Sequence, residues 1–233
     1  MAPTVLEIDA ILFDMDGTLT SSTDAVEEAW RVFQKTYTHV DVEHVLTIAH
    51  GIRTVDNLKN FCHVKDEDLE AEAQRFEEAI VKAGAENKSI IPLPGVQDLL
   101  AKLSPVRHLP NPSWAICTSA TRIYAKESMR ITNLPVPDVF ITAEDVTQGK
   151  PYPDPYLKGA KQCGVAPERC IVLEDAPNGV LSGKAAGCTV IAVLTSHTRA
   201  QLEVAQPDFI IEDLRGLSVE VLKKGLRVTI TPA

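Results

Sequence analysis

The stretch LFDMDGTLT, Leu12 to Thr20, ends an apolar run on two aspartates one residue apart and follows them with a glycine. Carboxylates placed in this way can attack an electrophile, move protons or hold a divalent cation. Period-2 alternation along a strand sends Asp14 and Asp16 to one side and Met15 to the other. One acid could then attack while its neighbour handles protons, and Gly17 lets the chain turn where a side chain would block a ligand. Three more stretches put polar groups just beyond apolar runs. Thr118, Ser119 and Ala120 follow WAIC; Gly149, Lys150 and Pro151 follow DVFITAEDVTQ; Glu174 and Asp175 follow CIVL and precede APNG, which opens a helix. Ligands of open α/β sheets bind beyond the carboxyl ends of the strands. Acids, small hydroxyls and one lysine converging there would make a site for Mg²⁺ and a phosphate.

Each stretch alone has a plainer reading. Asp14, Asp16 and Gly17 suit a surface turn, Thr118 and Ser119 or Glu174 and Asp175 a helix start, and Lys150 an exposed lysine. A calcium loop beginning at Asp14 would need glycine and glutamate where the chain has Leu19 and Ala25. A nucleotide-binding P-loop ending at Lys150 fails too, because Glu144 stands at its first glycine and Pro151 at its Ser/Thr. The plain readings explain the stretches one at a time, but not four of them in order at strand ends.

The elements that would carry these residues are legible in the pattern. Apolar runs at 10–13, 114–117, 138–142, 170–175, 188–193 and 208–211 are unbroken, which predicts strands covered on both faces. Helical-length stretches at 121–132, 154–163, 177–186 and 198–205 separate the later ones, so an α/β, doubly wound parallel sheet is expected. Between Ser21 and Ile91 no strand is expected. STDAVEEAWRVFQKTY and KDEDLEAEAQRFEEAIVKA instead read as amphipathic helices, begun by caps at Thr23 or Asp24 and at Asp66, with most of their acidic residues on a solvated face and not in a site. Residues 1–21 and 92–233 are therefore expected to form the core and 22–91 an inserted helical domain, with TSSTD and IIPLPGV as its ends.

The chain has 233 residues, 45% hydrophobic and 24% charged, with a net charge of −9. That composition is ordinary for a globular protein, and the acidic surplus excludes nucleic acid and anionic membrane as favoured partners. It also makes an anionic substrate costly to admit unless the site brings its own cations. Met1 to Ala10 carries no secretion-signal pattern, and no apolar run approaches the roughly 18 residues of a membrane span. The five cysteines, Cys62, Cys117, Cys163, Cys170 and Cys188, show no CxxC spacing. A reduced, cytoplasmic protein without structural zinc is expected.

DMDGT, TSA, GKPYPDPY and LEDAPNG, in that order, resemble the four signature motifs of the haloacid dehalogenase superfamily, and the resemblance covers essentially the whole chain. It implies a Rossmann-like core, with 22–91 as a mobile cap. EHVLTIAHGIRT, SWAICTS and GKPYPDPYLKG further resemble fungal phosphatases of glycerol-3-phosphate and 2-deoxyglucose-6-phosphate. The resemblance implies Asp14 as nucleophile, forming an aspartyl-phosphate, and Asp16 as general acid and base. It implies Mg²⁺ held by Asp14, the Asp16 carbonyl and Asp175, with Glu174 behind them. Thr118 and the backbone around Ser119 and Ala120 would hold phosphoryl oxygens, Lys150 would neutralise charge, and Asn178 would lie near substrate. Arg53, and less centrally His50, would read the substrate from the cap.

Such a site answers the charge problem. At about 4 Å and an effective dielectric of about 20, each pair of unit charges repels by roughly 4 kcal/mol, so carboxylate against phosphate dianion costs about twice that. Mg²⁺ and Lys150 together reverse the sign. The reading is thus a Mg²⁺-dependent, monomeric phosphatase of a small phosphorylated polyol or sugar. A phosphosugar mutase of the same superfamily is the rival, set back by Val26 where such relatives carry a cap histidine. A silent binding member would be expected to lose Asp14 or Asp16, and this chain keeps both.

Overall fold

Ala10, Ile11, Leu12 and Phe13 have no solvent exposure, a condition met by a strand paired on both edges and covered on both faces. A computed structural model of the chain, describing residues 2–49 and 51–233, sets this strand inside a six-stranded sheet. In chain order the first elements are β1 (Thr4–Ile8), β2 (Ala10–Phe13), β3 (Thr20–Ser21), α1 (Thr23–Gln34), α2 (Val42–Ile48), α3 (Thr54–Asn57) and α4 (Leu69–Asn87). Then come β4 (Ile91–Pro92), α5 (Val96–Leu103), β5 (Trp114–Cys117), α6 (Arg122–Ile131), β6 (Phe140–Ile141) and α7 (Asp154–Cys163). The last are β7 (Cys170–Glu174), α8 (Pro177–Ala185), β8 (Thr189–Val193), α9 (Arg199–Glu203), β9 (Phe209–Ile211), β10 (Leu217–Val221) and β11 (Leu226–Ile230).

The large sheet runs β6-β5-β2-β7-β8-β9 and is parallel throughout. From β2 the chain builds β5 and β6 on one side, then returns to build β7, β8 and β9 on the other. The order reverses at β2, which is where such sheets open a crevice at their carboxyl ends. Ile11 and Phe13 face one apolar layer with Trp114 and Leu100, while Ala10 and Leu12 face the other with Tyr156, Ala160 and Cys163 from α7. The expected doubly wound α/β core is therefore present, with helices on both faces.

The unbroken apolar runs lie on the strands of this sheet, although the run at 138–142 is regular only over Phe140–Ile141. Sequence reading passed over a second, three-stranded antiparallel sheet, β1-β11-β10. Its strands alternate buried and exposed residues, as in LRVTI of β11, because one face packs on the core and the other meets water. A search for continuous apolar runs does not register that pattern.

Between β3 and β4 the chain is helical, as expected, but with α2, α3 and a π turn at Leu58–Cys62 besides the two long helices. β3 and β4 pair antiparallel, Thr20 with Pro92 and Ser21 with Ile91, so the chain leaves and re-enters through two adjoining strands. The expected helix starts are corrected. Ser22 precedes α1, and its hydroxyl turns to Asp16 at 2.7 Å instead of capping the helix. α4 begins at Leu69, and Asp66 lies before it, paired with Lys59. Among the described residues no helix is long and apolar enough to cross a membrane.

Trp30 and Phe33 from α1 interlock with Phe76 from α4, with ring centroids 4.6 and 4.9 Å apart. Trp30 is 1% exposed, so Trp30→Ala should open a cavity between the helices and destabilise the protein by about 3–5 kcal/mol in urea unfolding. A loss under about 1 kcal/mol would mean these helices are held by something other than this aromatic cluster.

Candidate active site

Asp14 follows the last residue of β2, Thr118 follows β5, and Asp175 follows β7, so three neighbouring strands deliver them to one end of the sheet. Lys150 arrives from the segment after β6. Its ammonium group donates to Asp14 Oδ1 at 2.5 Å and to Glu174 Oε1 at 2.6 Å, and its side chain has no solvent exposure. Burial opposes the charge on Lys150, but Asp14 and Glu174 outweigh it and raise its pKa. The cation is therefore fixed in place, with its charged form favoured by its two carboxylate partners.

The carboxylates outnumber it. Oxygens of Asp14, Glu174 and Asp175 lie within 4.8 Å of one another, and all three residues are buried. Burial, with Glu174 adding repulsion, pushes Asp14 up to about 7 even against the pull of Lys150. Burial and the neighbouring Asp14 and Glu174 charges likewise raise Asp175 well above the usual carboxylate range. A divalent cation bound here would let these acids ionise together, so the donor set suits a hard, oxygen-seeking metal.

Glu174 differs from its neighbours in having no acceptor position to spare. Oε1 accepts from Lys150 and from the Tyr156 hydroxyl at 2.6 Å, while Oε2 accepts from the backbone N–H groups of Asp175 at 3.0 Å and Ala176 at 3.3 Å. Four donors saturate one carboxylate. Glu174 thus positions Lys150 and the strand end, leaving Asp14 and Asp175 with open lone pairs. Gly17 is required beside them: its φ is +82°, and a Cβ there would fall on the Asp175 carboxylate.

Asp16 is half-buried, and its Oδ1 accepts from the Ser22 hydroxyl at 2.7 Å and the Tyr124 hydroxyl at 2.6 Å. Burial raises its pKa and these two bonds moderate the rise, a balance that suits a group which must hold a proton and release it. Asp14, Asp16, Thr118, Ser119, Ala120 and Tyr124 share a cleft of about 100 Å³ with side chains of the helical insert. The insert touches the core around it. Ser119 Oγ donates to the Gly51 carbonyl at 3.0 Å, and Glu77 of α4 accepts from the Thr121 N–H at 3.3 Å and from its hydroxyl.

Of the three residues expected near the substrate, Arg53 and Asn178 are described. Arg53 donates to Asp56 through Nε at 2.8 Å and Nη2 at 3.2 Å, and through Nη1 to the Thr147 carbonyl at 3.4 Å. It straps the insert to the segment leading to Lys150 and does not line the cleft. Asn178, at the start of α8, is half-buried and does not line it either. His50 lies outside the described residues.

Sequence reading missed Ser22, Tyr124, Glu77 and Ser196. Tyr124 and Glu77 sit in amphipathic helices, where an aromatic reads as core and an acid as solvated. Most acidic residues of the insert are expected on a solvated face, and Glu77, which is 3% exposed, is the exception that reaches the site. Ser196, whose hydroxyl donates to Asp175 Oδ2, follows the end of β8. Extending the strand-end rule to the run at 188–193 would have found it.

A family model described as haloacid dehalogenase-like hydrolase matches residues 8–187. The chain is 42% identical over 215 residues to hexitol phosphatase A of Escherichia coli (strain K12), covering 92% of this chain and 95% of that one. It is 37% identical over 225 residues to glycerol-1-phosphate phosphohydrolase 1 of Saccharomyces cerevisiae, covering 93% and 87%. A solved hydrolase from Pseudomonas syringae superposes with a TM-score of 0.71 at 26% identity, over 88% of this chain and 93% of that one.

Removing the central cation tests the electrostatics directly. Lys150→Met should leave the buried Asp14 and Glu174 without their cation, although Glu174 keeps its Tyr156 and backbone donors, and lower stability by about 3–5 kcal/mol in urea unfolding. An unchanged unfolding midpoint would mean that the carboxylates do not need Lys150 for their burial.

Proposed function

The chain belongs to the haloacid dehalogenase-like hydrolases, and from that premise we propose that it is a Mg²⁺-dependent phosphoric monoester hydrolase of small polyol or sugar phosphates. The names of the relatives support the substrate class, since one is a hexitol phosphatase and another a glycerol-1-phosphate phosphohydrolase. The observation that carries the reading is the pairing of two differently held carboxylates. Asp14 is fixed by Lys150, Asp16 by two hydroxyls, and both face one cleft.

In the proposed reaction an Asp14 carboxylate oxygen attacks phosphorus, and the bond from phosphorus to the ester oxygen breaks. Asp16 gives its proton to the departing alkoxide, releasing the alcohol and leaving phosphate on Asp14. Asp16, now ionised, takes a proton from water as that water attacks phosphorus; the bond from phosphorus to the Asp14 oxygen breaks, which frees inorganic phosphate and returns Asp14 as the carboxylate and Asp16 as the acid. Lys150 holds Asp14 in place and offsets its charge as the anionic substrate approaches. Thr118 and the backbone around Ser119 and Ala120 are assigned to the phosphoryl oxygens.

Asp14, Asp175 and the Asp16 carbonyl are the residues that would hold Mg²⁺, with Glu174 behind them. Bound there, the ion supplies positive charge to the phosphoryl group and to its carboxylate neighbours. Residues 22–91 are proposed to act as a cap over the core of 1–21 and 92–233, excluding bulk water during the reaction. Arg53 is better suited to fastening this cap than to touching substrate.

Phosphate release from glycerol phosphate, 2-deoxyglucose-6-phosphate and an aryl phosphate, with Mg²⁺ and with EDTA, tests the reading. Turnover should require the metal. Asp14→Asn should reduce it by at least about 10⁴-fold while the circular dichroism spectrum is kept. Appreciable turnover by Asp14→Asn, or undiminished turnover in EDTA, would contradict the assigned chemistry.

A further inference from the structure

The cleft above Asp14 has a far end, built by the insert, that the reaction itself does not use. Two buried polar side chains face it among Val26, Trp30 and Phe76. Asn57, at the end of α3, is 7% exposed, and its Nδ2 donates to the carbonyls of Ala49 at 3.1 Å and Ile52 at 3.5 Å. Those acceptors determine which end of the amide is nitrogen. Its Oδ1 is buried and has no donor. Glu77 accepts from the Thr54 hydroxyl at 2.8 Å and twice from Thr121. A carboxylate offers about four acceptor positions, so three donors leave one free.

Both groups therefore ask for donors. A buried acceptor without a partner is rare in folded proteins and is costly unless a ligand or water completes it. A hydroxyl supplies the missing proton. A carboxylate or a second phosphate supplies only acceptors and brings negative charge beside Glu77, in a cleft that already holds Asp14 and Asp16. The described side chains lining the cleft include no lysine, arginine or histidine to offset that charge.

We infer that Asn57 and Glu77 form the subsite that reads the organic part of the substrate, and that it selects hydroxyl-bearing monophosphates against esters carrying a carboxylate or a second phosphate. This rests on the phosphatase reading above and narrows its substrate class. Hydroxyl selection by an acceptor left unpaired without its substrate is the strong form of specificity, because the deoxy analogue leaves the buried group unsatisfied.

The test compares phosphate release from glycerol phosphate, its analogue lacking one hydroxyl, 3-phosphoglycerate, a hexose bisphosphate and an aryl phosphate, all with Mg²⁺. For the unaltered protein, kcat/KM on glycerol phosphate should exceed that on the deoxy analogue by at least about tenfold. It should exceed that on phosphoglycerate and on the bisphosphate by about a hundredfold or more. In Asn57→Leu the ratio of glycerol phosphate to deoxy analogue should collapse to within about twofold of unity. In Glu77→Gln the discrimination against the two anionic esters should shrink by at least about tenfold. Should either variant fail to fold, the substrate series on the unaltered protein decides. Equal or better hydrolysis of phosphoglycerate or bisphosphate overturns the subsite, as do ratios unmoved by both substitutions. Turnover of the aryl phosphate with no hydroxyl preference overturns the subsite and leaves the phosphatase reading standing. No release from any ester overturns both.

Discussion

A lysine with no exposed side chain sits between two carboxylates on adjacent strands, and the other groups of the site are arranged around that ion triad. A cation can be buried only where its partners are exact in number and place, because desolvation otherwise exceeds the attraction. Lys150 thus ties the segment after β6 to the ends of β2 and β7, drawing a long connection back to the centre of the sheet. Glu174 is held in turn by Tyr156 and two backbone N–H groups, so the lysine is set from below by α7 and from the side by the start of α8. Asp14 inherits its position from this lattice. The remaining charge is negative, and burial, with the neighbouring carboxylates adding repulsion, holds Asp14 and Asp175 above the usual carboxylate range.

Asp16 answers to a different set of constraints. Ser22 lies where the chain passes from β3 into α1, and Tyr124 lies in the first turn of α6. The acid is therefore held jointly by the stem of the insert and by the core. Glu77 of the insert accepts from Thr121, the cap of that same helix. The position of Asp16 is thereby tied to both the insert and the core, through the hydroxyls of Ser22 and Tyr124.

The parts of the fold that were legible in the sequence share one property. Strands buried on both faces are apolar without interruption, and groups just beyond them have few places to go but the crevice, so Asp14, Thr118 and Asp175 could be assigned from position in the pattern. Lys150 is set less directly by that pattern, because it lies farther from its strand end, beyond a 3-10 turn at Ala143–Asp145. The antiparallel sheet was not legible because its strands, such as TVLEI, alternate and mix with polar residues. Glu77 and Asn57 were not legible because helical periodicity describes a face and does not tell whether that face meets water or a ligand. Arg53 shows the converse: the residue type suits anion binding, but the neighbouring Asp56 takes its fork.

The central claim is that the buried acids at the strand ends form one cation site organised by Lys150. The most direct measurement is the melting temperature as a function of Mg²⁺ concentration, for the natural protein and for Asp175→Asn. Binding to the folded state alone adds about 2.7 kcal/mol at a hundredfold excess over Kd, which for a chain of this size is roughly 5–10 °C. The account predicts a rise of that order with the logarithm of Mg²⁺ concentration, largely abolished in Asp175→Asn. A melting temperature indifferent to Mg²⁺, or an equal rise in the variant, would contradict it.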